Sequence, residues 1–255
     1  MKAVILAGGY GTRLSEYTKL VPKPMVQIKN KPIICHIMDI YITQNINDFY
    51  FALGYKQTVL KKYFINKFKI LKKINNYKFI FLYKIKKKNY HNTINFINTG
   101  LNTMTGGRLK KISEYIDEEN FFLTYGDGLA NIDLKKLYKL HIKQKKLVTI
   151  SAVMPPARFG ALKLSRNKVI SFNEKPQFHK SWINGGFFVI NKKFVNYIKS
   201  SLTYLEKYPL EKAAKNNQLG AYKHIGFWKC MDTLRDKEEL EKMIKDNKKL
   251  PWLND

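Results

Sequence analysis

The sequence predicts an α/β protein: a mostly parallel mixed sheet with helices on both faces, plus a small antiparallel lobe. Three observations carry this. First, residues 2–7 form a short apolar run that ends in the glycine turn 8–13. Such a run, bounded by turn residues, suits a central parallel strand buried on both faces. Second, strand-like and helix-like segments then alternate, as crossovers between parallel strands require. Third, from Pro155 the rhythm changes to two short alternating runs, 160–165 and 168–173. These read as an antiparallel excursion.

The elements follow in order. Residues 32–45 predict a helix, with Ile34, Ile37, Met38 and Tyr41 on one face, and residues 48–53 a second strand. Residues 56–65 predict a helix with Val59, Leu60 and Tyr63 inward. The stretch 66–98 is the least readable: 78–83 and 94–97 are strand-like but separated by lysines, so an excursion or flexible edge is expected. A turn at 102–108 opens a helix through Leu109, Ile112 and Ile116, with Thr105 as its cap. Residues 120–125 are a strand, and Asp133 caps a helix over 134–144. Strands are expected at 147–154, 182–190 and 221–225, and helices at 192–200, 209–216 and 233–246. No repeat or linker-like stretch divides residues 1–255, so one domain is expected.

Composition narrows the class. Hydrophobic residues make up 45 % of the chain, a globular share. No run approaches the ~20 apolar residues of a membrane span, and the amino terminus enters a strand with no signal peptide ahead of it. Two cysteines, Cys35 and Cys230, cannot build a disulfide framework or a four-ligand zinc site. They read as reduced thiols of a cytoplasmic protein. The net charge of +28 comes almost wholly from lysine, scattered among Ile, Asn, Tyr and Phe. That pattern fits a drift towards AT-rich codons rather than a nucleic-acid surface, so neither nucleic acid nor membrane is expected as a partner. The few arginines are more telling: Arg13, Arg108, Arg158 and Arg235 fall in or beside motifs, and Arg166 sits in a turn.

The chemistry gathers at the first turn. Gly8, Gly9 and Gly11 let the backbone approach a ligand, with N–H groups free to converge on a phosphate. Arg13 adds a planar donor fork and Lys23 a mobile point charge. Alone, Gly-Gly-x-Gly also fits an ordinary strand–turn–helix connection. Asp127 lies between two glycines just past a strand, and Asp232 lies just before the last helix. Each also fits a turn or cap residue; if they face the loop together, they make a two-carboxylate site for Mg²⁺. Glu174-Lys175 sits in a turn, and Asn184-Gly185-Gly186 opens a buried strand, where glycine marks close approach.

The run Leu-Ala-Gly-Gly-Tyr-Gly-Thr-Arg-Leu (6–14), followed by Pro22-Lys23-Pro24-Met25, resembles the opening of the sugar-phosphate nucleotidyltransferases. Matching stretches recur at 102–109, 124–128, 155–162, 174–176, 183–189 and 226–236. They most resemble the branch of that family that joins CTP to glucose 1-phosphate. Cys35, Lys229 and Cys230 stand where the family usually has tryptophan, glutamine and proline. The resemblance implies a Rossmann-like sheet, the nucleotide-diphospho-sugar transferase fold, with the antiparallel lobe binding sugar. It implies CTP lying over Leu6, Ala7, Gly8, Gly9, Gly11 and Thr12, near Gly126, with Thr103 and Arg108 at the base-reading end. Arg13 would hold the leaving pyrophosphate, Lys23 the α-phosphate, and Asp127 and Asp232 the Mg²⁺. Glu174, Lys175, Asn184 and Gly185 would take the sugar phosphate. No protein nucleophile is implied, and the family is oligomeric. The same fold with another nucleotide or sugar phosphate, or a silent binding subunit, stays open at this level.

Overall fold

The computed structural model describes residues 1–155, 160–173, 181–246 and 249–253. β1 (Lys2–Leu6) leads through a 3₁₀ turn (Thr12–Leu14) and a short α1 (Ser15–Thr18) to a second 3₁₀ turn (Lys23–Met25). A ribbon of β2 (Gln27–Ile28) and β3 (Lys31–Pro32) precedes α2 (Ile33–Ile42), β4 (Asp48–Leu53) and α3 (Gln57–Lys67). A meander follows: β5 (Lys69–Lys73), β6 (Lys78–Ile85) and β7 (Lys88–Asn98). Next come α4 (Thr105–Ser113), β8 (Asn120–Tyr125), β9 (Gly128–Ala130), α5 (Leu134–Gln144) and β10 (Val148–Val153). The hairpin of β11 (Ala161–Ser165) and β12 (Lys168–Asn173) precedes β13 (Ile183–Asn191) and a 3₁₀ segment (Lys192–Tyr197). α6 (Tyr208–Lys215), β14 (Leu219–His224), β15 (Trp228–Cys230) and α7 (Leu234–Asp246) come last.

The main sheet has the order β14-β10-β13-β8-β1-β4-β7-β6-β5. β1 pairs in parallel with β4 and with β8, and β4 with β7. β13 and β6 run against their neighbours, so the sheet is mixed but mostly parallel. Alternate residues of each central strand feed two cores. Ala3 and Ile5 join one, with Leu60 and Phe64 of α3, Leu137 of α5 and Leu240 of α7. Val4 and Leu6 join the other, with Leu109 and Ile112 of α4 and Leu210 of α6. This two-sided burial is why the first strand reads as continuous rather than alternating apolar sequence.

Four local expectations change. Residues 66–98 are not a detached excursion: β7 is a full strand of the main sheet, and β5 and β6 extend it. The alternate burial of Phe79, Phe81 and Tyr83 explains the fit. Thr105 is the first helical residue rather than the cap; its hydroxyl instead donates to Glu206 and accepts from Leu205 N–H. The helix expected over 192–200 is a shorter 3₁₀ turn. The sequence reading also missed the ribbon of β9 and β15, each three residues long.

Buried histidines, His36, His141 and His224, have pKa values lowered by burial and make the fold acid-sensitive. His141 on α5 lies between Thr149 Oγ1 (2.9 Å) and Asn120 Oδ1 (3.0 Å), and burial pushes its pKa down to about 4. Burial likewise pushes His36 down to about 3. An unfolded chain takes these protons near pH 6.5 while the folded chain refuses them. The contribution of these groups to stability is therefore full above pH 6.5 and lost as the pH falls towards 4. For His141 the loss is on the order of 2–3 kcal/mol. Urea unfolding followed from pH 7 to pH 4.5 should show this decline, and His141→Gln should flatten it. An identical pH slope in the variant would contradict the assignment.

Candidate active site

The site begins where β1 ends. Ala7 N–H still donates to Ala52 O and Tyr55 N–H to Gly8 O, both at 3.0 Å. Beyond that the loop leaves the sheet. Among the described residues, the N–H groups of Gly9, Tyr10 and Gly11 meet no protein acceptor, which leaves them open to an anion. Gly11 sits at φ 66°, and a Cβ there would come within 2.9 Å of Lys23 Cβ. Glycine is thus needed for the turn and for the close passage of Lys23.

Asp127 and Asp232 are joined through the missed ribbon. β9 starts directly after Asp127 and β15 ends two residues before Asp232, with Gly128 opposite Cys230. Met231 N–H donates to Asp127 O at 2.9 Å, closing the end of the ribbon. A reciprocal capping box then fixes the start of α7. Thr233 N–H donates to Asp236 Oδ2 at 2.9 Å, and Asp236 N–H to Thr233 Oγ1 at 3.2 Å. Asp236 Oδ2 also accepts from Asp232 N–H at 3.2 Å.

Lys23 meets both carboxylates. Its Nζ donates to Asp127 Oδ2 and to Asp232 Oδ1, each at 2.6 Å. Arg13 Nη1 donates to Asp232 Oδ2 at 2.9 Å. Burial works against the charge on Lys23, but the two aspartates outweigh it and hold the ammonium above its ordinary pKa. Burial would raise the Asp232 carboxyl, yet the hydrogen bond and charge of Lys23, with Arg13, hold it below the usual carboxylate range. The neighbouring Cys230 thiol, 3.7 Å from Asp232 Oδ2, is pushed up to about 12 by burial and by the nearby carboxylates. Two carboxylates within reach of one cationic point suit a hard divalent ion that takes few protein ligands and keeps water or phosphate oxygens.

These groups edge a cleft of about 480 Å³, a volume suited to a small ligand. Every residue expected to bind nucleotide lines it: Leu6, Ala7, Gly8, Gly9, Gly11, Thr12, Arg13, Lys23, Thr103, Arg108 and Gly126. Asp127 lines it too, while Asp232 reaches it through Lys23 and Arg13. No serine, cysteine or histidine is among the described lining residues.

Arg108 does more than the sequence suggests. It is 3 % exposed, and its two terminal nitrogens donate to five acceptors: Leu53 O, Thr99 Oγ1, Gly100 O, Gly8 O and Leu101 O, at 2.6 to 3.1 Å. It therefore ties the loops after β1, β4 and β7 into one cleft wall. Thr103 belongs to the same wall, its hydroxyl donating to Thr99 O at 2.6 Å.

The sugar-phosphate set is more scattered. Glu174 and Lys175 lie outside the described residues. Asn184 and Gly185 do not line the cleft, but Asn184 Nδ2 is 3.4 Å from the hydroxyl of Tyr125, which does. A Cβ on Gly185 would come within 2.6 Å of Ser151 Oγ, so the glycine there is a packing requirement of β13 on β10. Tyr125, which sequence reasoning missed, donates to Glu206 Oε1 at 2.6 Å. Its place at the end of a strand just before Gly126-Asp127-Gly128 is the signal that was there to read. Tyr10 and Tyr204 also line the cleft unforeseen.

A strand end, a phosphate-ready loop and a carboxylate pair around one cleft describe a nucleotide-handling α/β enzyme. The chain belongs to the nucleotidyl transferase family, which it matches over residues 2–229. More particularly, it is 44 % identical over 254 residues to the glucose-1-phosphate cytidylyltransferase of Salmonella typhi, covering 99 % of this chain and 98 % of that one. A D-glycero-alpha-D-manno-heptose 1-phosphate guanylyltransferase of Aneurinibacillus thermoaerophilus is 32 % identical over 196 residues, 75 % of each chain. In fold, the crystal structure of HddC from Yersinia pseudotuberculosis superposes with a TM-score of 0.70 at 24 % identity, covering 95 % of this chain and 99 % of that one.

The clamp role of Arg108 is testable. Arg108→Met removes five charge-assisted hydrogen bonds at a buried position and should cost about 3 kcal/mol or more in urea unfolding, while also weakening nucleotide binding. A variant as stable as the parent, losing nucleotide affinity alone, would reduce Arg108 to a ligand contact.

Proposed function

We propose that this enzyme transfers a cytidylyl group from CTP to α-D-glucose 1-phosphate, giving CDP-glucose and pyrophosphate. The observation that carries this reading is the convergence of Lys23, Arg13, Asp127 and Asp232 at the mouth of a loop with open N–H groups. The choice of base and sugar is supported by full-length similarity to a cytidylyltransferase, at higher identity than to a guanylyltransferase.

A phosphate oxygen of the sugar phosphate attacks the α-phosphorus. The bond from that phosphorus to the bridging oxygen breaks, and pyrophosphate leaves with the electron pair. No protein nucleophile takes part, so catalysis is positioning and charge neutralisation. The loop N–H groups bind the phosphates. Arg13 steadies the leaving pyrophosphate, and Lys23 the α-phosphate. Asp127 and Asp232 would hold Mg²⁺, which when bound neutralises phosphate charge. Thr103 and Arg108 shape the wall against which the base lies, and Glu174 and Lys175, with Asn184 beside Tyr125, take the sugar phosphate. The reading includes a homo-oligomer working in the cytoplasm. Two free thiols and the exposed Leu162, Leu164, Ile170 and Phe172 of the β11–β12 hairpin support it.

Pyrophosphate release tests the proposal, with Mg²⁺ and glucose 1-phosphate present and CTP, UTP, dTTP, ATP and GTP offered in turn. CTP alone should give rapid release, and Asp127→Asn should lower it by roughly 10²-fold or more. Release with a different nucleotide would overturn the base assignment. Undiminished release in the variant would remove Asp127 from the mechanism.

A further inference from the structure

Lys23 stands where a cation for the two aspartates would stand. Its Nζ is 2.6 Å from an oxygen of each, and the side chain is 12 % exposed. With Arg13 on the remaining oxygen of Asp232, two carboxylates face one ammonium and one guanidinium, so local charge is already balanced. A divalent ion approaching this cluster meets an ammonium in its seat, and like charges a few ångströms apart repel. Meanwhile the two basic groups that a triphosphate needs are both held by carboxylates.

One exchange resolves both conflicts. We infer that Lys23 is a placeholder cation, closing the Asp127–Asp232 pair to free divalent metal until a nucleoside triphosphate draws its ammonium away. This rests on the nucleotidyl-transfer reading above. The charges balance: a divalent ion neutralises the two carboxylates, and Lys23 with Arg13 brings two positive charges to the phosphates. Metal and nucleotide therefore load together.

The local structure suits a side-chain swing over a fixed backbone. Lys23 is held between Pro22 and Pro24 in a 3₁₀ turn, with Met25 N–H on Pro22 O (2.7 Å) and Val26 N–H on Lys23 O (3.0 Å). The long flexible stem carries the charge. A Cβ at Gly11 would lie 2.9 Å from Lys23 Cβ and 3.5 Å from Cδ, so the glycine keeps the stem's path clear. Arg13 is 74 % exposed, so leaving Asp232 for the phosphates would not require it to break out of buried packing.

The test is Mn²⁺ binding without nucleotide, read from the free-ion signal in electron paramagnetic resonance. The parent, Lys23→Gln, Asp127→Asn and the double variant are compared. Removing the competing ammonium should tighten Mn²⁺ binding in Lys23→Gln by about tenfold or more over the parent, and the double variant should lose the gain. Equal binding by the parent and Lys23→Gln, abolished by Asp127→Asn, would overturn the placeholder while leaving the carboxylate pair as the metal site. Equal binding by Lys23→Gln and the double variant would overturn both. No binding by any of the four would overturn the placeholder. Should Lys23→Gln fold poorly, the Tm of Lys23→Met with and without Mn²⁺ decides. A rise in that variant but not in the parent supports the inference, and no rise in either, or an equal rise in both, refutes it.

Discussion

The structure depends on holding two carboxylates from distant parts of the chain against one cation. Asp127 and Asp232 carry like charges, and Lys23 offsets their repulsion with 2.6 Å contacts to both. The backbone fixes where they stand: the three-residue ribbon of β9 and β15 sets the spacing, and the Thr233–Asp236 box anchors the first turn of α7. Because the ribbon is so short, side-chain electrostatics and backbone pairing have to agree for the site to exist.

A second device holds the opposite wall. In a parallel sheet the loops at the strand ends are independent unless something ties them. Here one buried guanidinium ties the loops after β1, β4 and β7. Gly8 and Gly54 make room for it, since a Cβ on either would fall within 2.5 Å of its Nη1. An arginine retained in a chain that otherwise uses lysine is thereby explained: lysine lacks the planar fork that reaches five acceptors at once. The glycine loop is thus stiffened from behind, while the N–H groups of Gly9, Tyr10 and Gly11 meet no acceptor among the described residues in front.

Much of this was legible in the residues. The first strand, its glycine turn and the alternating elements announced the parallel sheet, and the cleft is lined by the residues the motif pointed to. Three things were not legible, each for a physical reason. The runs at 78–83 and 94–97 read as strands, but the outer strand β5 and the joining of all three to the main sheet did not, because β5 is lysine-rich and fully exposed. The β9–β15 ribbon is too short for any periodicity to register. The role of Arg108 depends on carbonyls from three separate loops, a set that no local pattern displays. Glu206 was missed similarly, since its hydrogen bond to Tyr125 spans 81 residues.

The central claim is that charge placement, without a covalent enzyme intermediate, performs the transfer. Its most direct test is the stereochemical course at the α-phosphorus, followed with a CTP analogue carrying a chiral α-phosphorothioate and glucose 1-phosphate as acceptor. One direct displacement inverts the configuration, which is the result this account predicts. Retention would mean two displacements through a nucleophile on the protein, and would contradict it.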